Sequence, residues 1–168
     1  MPVSVHEDDD NQCRLELALA GEADTAAFGA ALAGALESGL MIHLEGDLGA
    51  GKTTLVRAAL RALDFTGSVK SPTYTLIEPY TISRLNLYHF DFYRFTDPDE
   101  FLEAGLDEYF DGDGVCIVEW PDRAAPHLPP ADVRILIRFE GTGRKVEAHG
   151  LSPRGQECLR KIRKIVNP

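Results

Sequence analysis

The chain lacks the paired cysteines that hold a structural metal ion or build a disulfide framework. Its three cysteines, Cys13, Cys116 and Cys158, are scattered over 168 residues, which predicts free thiols in a reducing compartment. It also lacks any apolar run as long as a membrane span, and its first ten residues are polar and acidic, unlike a signal peptide. We therefore expect a cytoplasmic protein without a membrane partner, and residues 1–10 are expected to be flexible.

Positive charge is scarce as well. Lysine and arginine number 17 against 27 aspartates and glutamates, so the formal net charge is −10. Binding to a nucleic-acid backbone requires a basic face, so this balance argues against the chain gripping RNA or DNA alone. Action through a more basic partner remains open.

The length and the ordinary hydrophobic content of 44% predict a single domain over residues 1–168 with a core of its own.

A glycine-rich stretch carries the clearest chemistry. Residues 46–53 read GDLGAGKT and match the phosphate-loop pattern G-x-x-x-x-G-K-[ST] at every fixed position. Lys52 supplies positive charge for the β- and γ-phosphates, and Thr53 supplies a hydroxyl for Mg²⁺. Glycine lets the backbone turn its N–H groups inward toward phosphate oxygens. The glycines of the loop are Gly46, Gly49 and Gly51.

The flanking segments predict the rest of an α/β domain. Apolar residues at 40–44 predict a buried strand before the loop, and helical spacing over 52–63 predicts a helix after it. A strand is predicted at 13–20, and the next helix is capped by Asp24 or Thr25. Thr25 has two interpretations that stay open: it only caps the helix, or the helix start lies against the nucleotide base.

Four hydroxyl residues follow within five positions of one another, namely Ser71, Thr73, Tyr74 and Thr75. In phosphate-loop proteins such a segment can contact the γ-phosphate and Mg²⁺ as a switch, but a polar loop before a strand fits equally well. Strands over 74–82 and 85–93 then predict a β-hairpin with its turn at Ser83-Arg84.

A phosphate-loop enzyme also needs an acid at the end of a neighbouring strand, and the chain offers two. Asp91 and Glu119 each end an apolar run, and position alone does not choose between them. We assign Glu119 to the Mg²⁺ shell or to water, and Asp91 to the Mg²⁺ side through water, with His89 and Arg94 shaping the same edge. Trp120 is either a core residue or a nucleotide contact.

The last part of the chain predicts a hairpin and a helix. Runs at 133–139 and 145–149 surround the glycines at 141–143, as expected of a hairpin. Ser152 and Pro153 predict the start of a C-terminal helix over 152–166. Its basic residues form either a solvated face or, less simply, a partner-binding face.

Four motifs together resemble the TsaE (YjeE) family, small bacterial ATPases of the tRNA threonylcarbamoyladenosine pathway. The similarity extends from about Glu22 to about Arg144 and includes the pairing of an acid with tryptophan at 119–120. The motifs are GDLGAGKTTLVR at 46–57, SPTYTLIEPY at 71–80, HFDFYR at 89–94 and VCIVEWPDR at 115–123.

The resemblance implies a phosphate-loop NTPase fold, a three-layer sandwich with a mixed, mostly parallel sheet and an antiparallel hairpin portion. It implies an Mg²⁺-dependent ATPase that binds ATP and ADP, is slow alone and is stimulated by partners. Those partners are the TsaB and TsaD proteins, and tRNA is reached only through their complex. The ATP cycle would reset that complex, so that threonylcarbamoyl transfer to the adenosine beside the anticodon can repeat.

The same resemblance implies roles for particular residues, and a final hairpin that closes on the base. The implied catalytic residues are Lys52, Glu119 and Asp91, and the implied metal ligands are Thr53, Glu119 and Asp91. The implied nucleotide-binding residues are Glu22, Gly46, Asp47, Leu48, Gly49, Ala50, Gly51, Lys52, Thr53, Thr54, Trp120, Asp122, Gly143 and Arg144. The implied switch or partner residues are Ser71, Thr73, Tyr74, Thr75, His89 and Arg94.

Three other functions are alternatives to this one. A small-metabolite kinase would need basic lid residues, and only Arg84 and Arg94 are obvious candidates. A GTPase is disfavoured because the D-x-x-G match at 111–114 precedes a strand, and no N-K-x-D motif exists. In the third function, the chain would be a nucleotide-dependent assembly subunit in which binding matters and hydrolysis is incidental.

Overall fold

A computed structural model describes residues 3–7, 13–82 and 84–168, and strands alternate with helices along them. The strands are β1 Val3–Glu7, β2 Cys13–Leu19, β3 Met41–Glu45, β4 Ile77–Thr81, β5 Asn86–Asp91, β6 Val115–Glu119, β7 Val133–Glu140 and β8 Gly143–Gly150. The helices are α1 Glu22–Ala35, α2 Lys52–Ala62, α3 Glu100–Glu103 and α4 Pro153–Val166, with short 3-10 helices at Leu106–Tyr109 and Pro121–Ala124.

All eight strands form a single sheet in the order β1-β2-β8-β7-β3-β6-β5-β4. The central strands β7, β3, β6 and β5 run parallel, which confirms the predicted mixed α/β sheet. The antiparallel part contains both hairpins expected from the sequence and extends further, to β2 and β1. Both flanks of the sheet are antiparallel, β4 on one side and β8, β2 and β1 on the other. The pairs β1–β2, β4–β5 and β7–β8 are consecutive in the chain and need no crossover helix, whereas β2 and β8 come from distant parts of it.

The two faces of the sheet bury different cores. Residues alternate along a strand, so Val115 and Ile117 of β6 face the larger core, whereas Cys116 and Val118 face the smaller one. The larger core packs against apolar residues of α1, α2 and α4. The smaller one is rich in aromatic residues and includes residues of α3 and both 3-10 helices. These layers agree with the predicted three-layer sandwich.

The ends of several elements differ from the sequence prediction. Residues 3–7, expected to be flexible, pair with β2 as an edge strand, and the remaining positions among the first ten lie outside the described residues. The strand predicted over 74–82 starts only at Ile77, because a turn closed by Leu76 N–H donating to Pro72 O (2.8 Å) precedes it. The predicted turn residue Ser83 also lies outside the described residues.

The caps of the two long outer helices show one wrong prediction and one correct one. Helix α1 begins at Glu22 after Gly21, so Asp24 and Thr25 lie inside its first turn instead of capping it. Helix α4 begins as predicted, with the hydroxyl of Ser152 accepting a hydrogen bond from Gly155 N–H at 3.0 Å.

Within the described ranges, none of the helices combines the length and apolarity that a bilayer crossing requires.

Candidate nucleotide-binding site

The phosphate loop joins the end of central strand β3 to the start of α2. Its backbone takes left-handed conformations at Gly49 (φ 79°) and Gly51 (φ 110°), which glycine adopts without strain. At Gly46 the constraint is space, since a Cβ atom there would lie 2.6 Å from the carbonyl oxygen of Ile137. The glycines of the motif are therefore required by the shape of the loop.

Lys52 is the first residue of α2 and is only 6% exposed. Its Nζ donates a hydrogen bond to the Gly46 carbonyl oxygen, lies 4.4 Å from the centre of the Trp120 ring, and is 4.0 Å from Glu119 Oε1. Burial lowers the pKa of Lys52, while the neighbouring carboxylates of Glu119, Asp91 and Asp47 act in the opposite direction. The ammonium thus lies at the helix N-terminus, where anions bind well.

The two candidate acids meet at one edge of the sheet. Asp91 and Glu119 are paired in register at the ends of the parallel strands β5 and β6, and both are buried. Asp91 Oδ1 accepts a hydrogen bond from Tyr93 N–H at 2.9 Å, and its Oδ2 accepts one from the Thr73 hydroxyl at 3.3 Å. The hydroxyl-rich segment is therefore connected directly to an acid of the site.

His89 lies beneath the edge that the two acids form and contacts one of them. The side chain is fully buried, and its Nε2 lies 2.5 Å from Glu119 Oε2. The period of two along β5 puts His89 on the same face of the sheet as Asp91, which directs the imidazole inward beneath Glu119. Spacing in sequence could not show this pairing, because the two residues belong to different strands.

A first cleft of about 280 Å³ brings together the end of the phosphate loop, the hydroxyl-rich segment and both acids. Trp120 lines it as well and also packs against the smaller core, so this residue has both of the placements that the sequence left open. The lining residues are Leu48, Gly49, Gly51, Lys52, Thr53, Thr54, Ser71, Thr73, Asp91, Glu119 and Trp120.

A second cleft of about 200 Å³ lies on the other side of the same loop. Arg144, from the tip of the last hairpin, closes it by donating hydrogen bonds to the carbonyl oxygens of Ala50 (2.9 Å) and Gly49 (3.4 Å). Thr25 lines this cleft and does not cap α1. The lining residues are Leu19, Gly21, Glu22, Thr25, Gly49, Ala50, Gly51, Thr54, Thr142, Gly143 and Arg144.

Three residues of the second cleft are not predicted by the sequence, namely Leu19, Gly21 and Thr142. No motif marks them. They reach the loop only because β2 pairs with β8, so that Leu19 and Arg144 become register partners. A signal for this pairing is absent from local sequence patterns, since hydrophobic alternation does not say which strands are neighbours.

Several predicted site residues line neither cleft. Asp122 is exposed on the 3-10 helix after Trp120, and Asp47 is exposed on the loop. Tyr74 is 80% exposed, and the Arg94 guanidinium lies 4.0 Å from its ring centre. Thr75 donates to Glu78 instead of facing the loop. The predicted switch residues therefore separate into a cleft pair, Ser71 and Thr73, an outward-facing group, Tyr74, Thr75 and Arg94, and the buried His89.

Asp91→Asn is expected to stabilise the nucleotide-free protein. Burial raises the pKa of Asp91, and the nearby Glu119 carboxylate raises it further, although hydrogen bonds from Tyr93 and Thr73 oppose the shift. The folded state therefore holds this proton more tightly than the unfolded chain, so its contribution to stability is lost as pH rises through the raised pKa. The neutral asparagine keeps an acceptor for Tyr93, and we expect the unfolding temperature at pH 7 to rise by about 2–4 °C.

Thermal unfolding of wild type and variant at several pH values tests this expectation. The increase in unfolding temperature should become smaller as the pH falls toward the ordinary pKa of aspartate, because wild-type Asp91 also becomes neutral there. Asp107→Asn, at an exposed position, is the matched control and should leave the unfolding temperature nearly unchanged. An unfolding temperature that is equal or lower in Asp91→Asn would show that the buried charge is fully compensated.

Comparison with known proteins places the chain in a family. The family model described as "Threonylcarbamoyl adenosine biosynthesis protein TsaE" matches residues 19–146. A protein from Haemophilus influenzae named tRNA threonylcarbamoyladenosine biosynthesis protein TsaE is 45% identical over 111 residues, covering 66% of this chain and 70% of that protein. A protein of the same name from Bacillus subtilis is 44% identical over 118 residues, and the match covers 70% of this chain and 73% of the Bacillus subtilis protein.

A solved structure extends the similarity to nearly the whole fold. The crystal structure of YdiB from Bacillus subtilis superposes with a TM-score of 0.79 at 30% identity, covering 98% of this chain and 99% of that one. The family match spans the phosphate loop, both acids and the tip of the last hairpin. The chain therefore belongs to the TsaE family of tRNA threonylcarbamoyladenosine biosynthesis proteins.

Proposed function

We propose that this protein is an Mg²⁺-dependent ATPase that binds the TsaB–TsaD complex and supports repeated threonylcarbamoyl transfer to tRNA. A single observation supports the proposed ATPase activity. The buried ammonium of Lys52 lies at the start of α2, and the side chains of Asp91 and Glu119 converge on the cleft in front of it. This is the donor set that a nucleoside triphosphate with its metal ion requires.

The residues present fit that ligand. Among the described residues no group of three or more histidine, cysteine, aspartate or glutamate side chains could hold a metal ion by itself. Two carboxylates and the Thr53 hydroxyl suit Mg²⁺, which binds through one or two carboxylates together with phosphates and water. When bound, Mg²⁺ would neutralise negative charge on the phosphate oxygens. The cleft in front of Lys52 is lined by Gly49, Gly51 and Thr53 of the loop, so loop backbone and hydroxyl groups are available to a phosphate there.

The two clefts would bind different parts of the nucleotide. In the first cleft the loop N–H groups and Lys52 would bind the phosphates, with Thr53 and Asp91 on the metal side. Glu119 would orient the water whose oxygen attacks the γ-phosphorus, while the bond from that phosphorus to the bridging oxygen breaks and the electrons pass to ADP. In the second cleft Thr25, Glu22 and Arg144 would surround the nucleoside.

The charge and the outward-facing residues support action through a protein partner. A net charge of −10 is unfavourable for direct tRNA binding, so tRNA would be reached only through TsaB and TsaD. Tyr74 is highly exposed and follows Thr73, which lines the first cleft and contacts Asp91. Such a segment would let a partner sense what the cleft contains.

The test is ATP hydrolysis with Mg²⁺, measured for the protein alone and with purified TsaB–TsaD from the same source. We expect slow turnover alone and a rise of about tenfold or more with the complex, consistent with a partner completing the site. Lys52→Ala, assayed in parallel, should show no rise. Phosphoryl transfer to a small-molecule mixture without stimulation would instead indicate a kinase, and nucleotide binding without hydrolysis would indicate an assembly subunit.

A further inference from the structure

His89 makes a buried contact that the proposed chemistry does not by itself require. The imidazole is fully buried on β5, and its Nε2 lies 2.5 Å from Glu119 Oε2 on the neighbouring strand β6. Since a carboxylate that is ionised only accepts hydrogen bonds, the tautomer that makes this bond has its hydrogen on Nε2. Among the described residues, His89 Nδ1 has no hydrogen-bond partner. What this histidine contributes beyond packing is therefore the bond to Glu119.

The bond divides the two oxygens of Glu119 between two neighbours. Oε2 is held by His89, whereas Oε1 lies 4.0 Å from Lys52 Nζ, on the side of the first cleft. Because a carboxylate is planar, fixing one oxygen also limits where the other points. Glutamate has several rotatable bonds, so without this contact its carboxylate would lose a fixed orientation.

We infer that His89 is a positioning residue for ATP hydrolysis, which holds Glu119 so that Oε1 faces the reacting phosphate and its water. This inference rests on the function proposed above. His89 is too deep to touch the nucleotide, since it lines neither cleft, and it acts only through Glu119. Its loss should therefore reduce kcat far more than nucleotide affinity, because Lys52 and the loop that bind phosphate remain in place.

Two variants separate positioning from packing. His89→Leu fills similar space without a donor, and we expect kcat to fall about 10- to 100-fold, as for other residues that orient an active-site ligand. ADP affinity measured by calorimetry without Mg²⁺ should change less than about threefold. His89→Gln can place an amide N–H near the former Nε2, and it should restore kcat to within about fivefold of wild type.

The control is His43→Leu, which removes another histidine from the sheet. His43 lies on β3 between Ile42 and Leu44, whose side chains belong to the larger core, so His43 faces the opposite side of the sheet. Its loss should leave hydrolysis unchanged. Wild-type kcat in His89→Leu would overturn the inference, and so would equal losses in His89→Leu and His89→Gln when both variants still bind ADP.

A readout without nucleotide tests the contact itself. In ¹⁵N NMR spectra of the nucleotide-free protein, His89 should show a protonated Nε2 with slow hydrogen exchange, and that signal should be lost in Glu119→Ala. An unprotonated or rapidly exchanging Nε2 in the wild type would overturn the inference even if His89→Leu failed to fold. Failure of wild-type hydrolysis, with the NMR signal present, would count against the proposed ATPase and leave the contact established.

Discussion

Replacing Lys52 with alanine should lower the affinity for ATP and ADP at least about 100-fold, which corresponds to ~2.7 kcal/mol. Lys52 Nζ now donates to the Gly46 carbonyl, within a cleft that also contains the N-terminus of α2. Phosphate oxygens would replace that carbonyl as the acceptor, and hydrogen bonds between charged partners in a buried setting are the strong ones. Alanine leaves the loop backbone intact but removes the charge facing the phosphates.

Isothermal calorimetry with ADP and a slowly hydrolysed ATP analogue measures this effect directly. Lys161→Ala is the matched control, because Lys161 lies on α4, pairs with Glu37 and lines neither nucleotide cleft. It should bind nucleotide like the wild type. Unchanged affinity in a folded Lys52→Ala protein would contradict the assignment of the first cleft to phosphate.

Glu119→Gln should lower ATP turnover about 100-fold or more while leaving ATP affinity within about fivefold of wild type. Positioned groups that activate or orient a reacting water contribute on the order of 100- to 10,000-fold. Glutamine keeps the volume of the side chain, and its carbonyl oxygen can still accept the hydrogen bond from His89. Alanine would instead leave buried His89 without its partner, at a cost of roughly 1–3 kcal/mol in stability.

Single-turnover hydrolysis and separate binding measurements distinguish the two effects. Glu147→Gln is a suitable control, since Glu147 lies on β8 and pairs with Arg14 and His149 away from both clefts. Wild-type turnover in Glu119→Gln would transfer the water-orienting role to Asp91, the other buried acid at the same edge. Loss of ATP binding together with turnover would place Glu119 among the groups that hold the metal ion.

Local features of the chain were predictable because they depend on local chemistry. The phosphate loop follows from a fixed pattern of glycine, lysine and threonine, and the structure shows the backbone conformations that require those glycines. Strand β6 was predicted from four consecutive apolar residues, and Glu119 at its end does lie in the first cleft. The C-terminal helix begins at the predicted serine cap for the same reason.

Predictions that relied on an element's end or on its neighbours were less accurate. The strand expected from Tyr74 begins at Ile77, because the turn closed by Pro72 and Leu76 overrides the β-forming residues within it. The cap of α1 was predicted at Asp24 or Thr25, but the structure has it at Gly21. Glycine has no side chain that could mark a cap in the sequence. Tyr74 and Arg94 pack on each other at the surface instead of facing the loop.

The sequence by itself determined the phosphate loop and both candidate acids, since each is encoded within a few consecutive residues. It also determined the mixed α/β fold, which four motifs imply together. Only the tertiary structure decided that His89 lies beneath Glu119, and that Leu19, Thr25 and Arg144 share a cleft. The reason is physical. These contacts join residues that are far apart in the chain, and they are fixed by which strands pair and in what register, a choice made by the packing of the whole sheet.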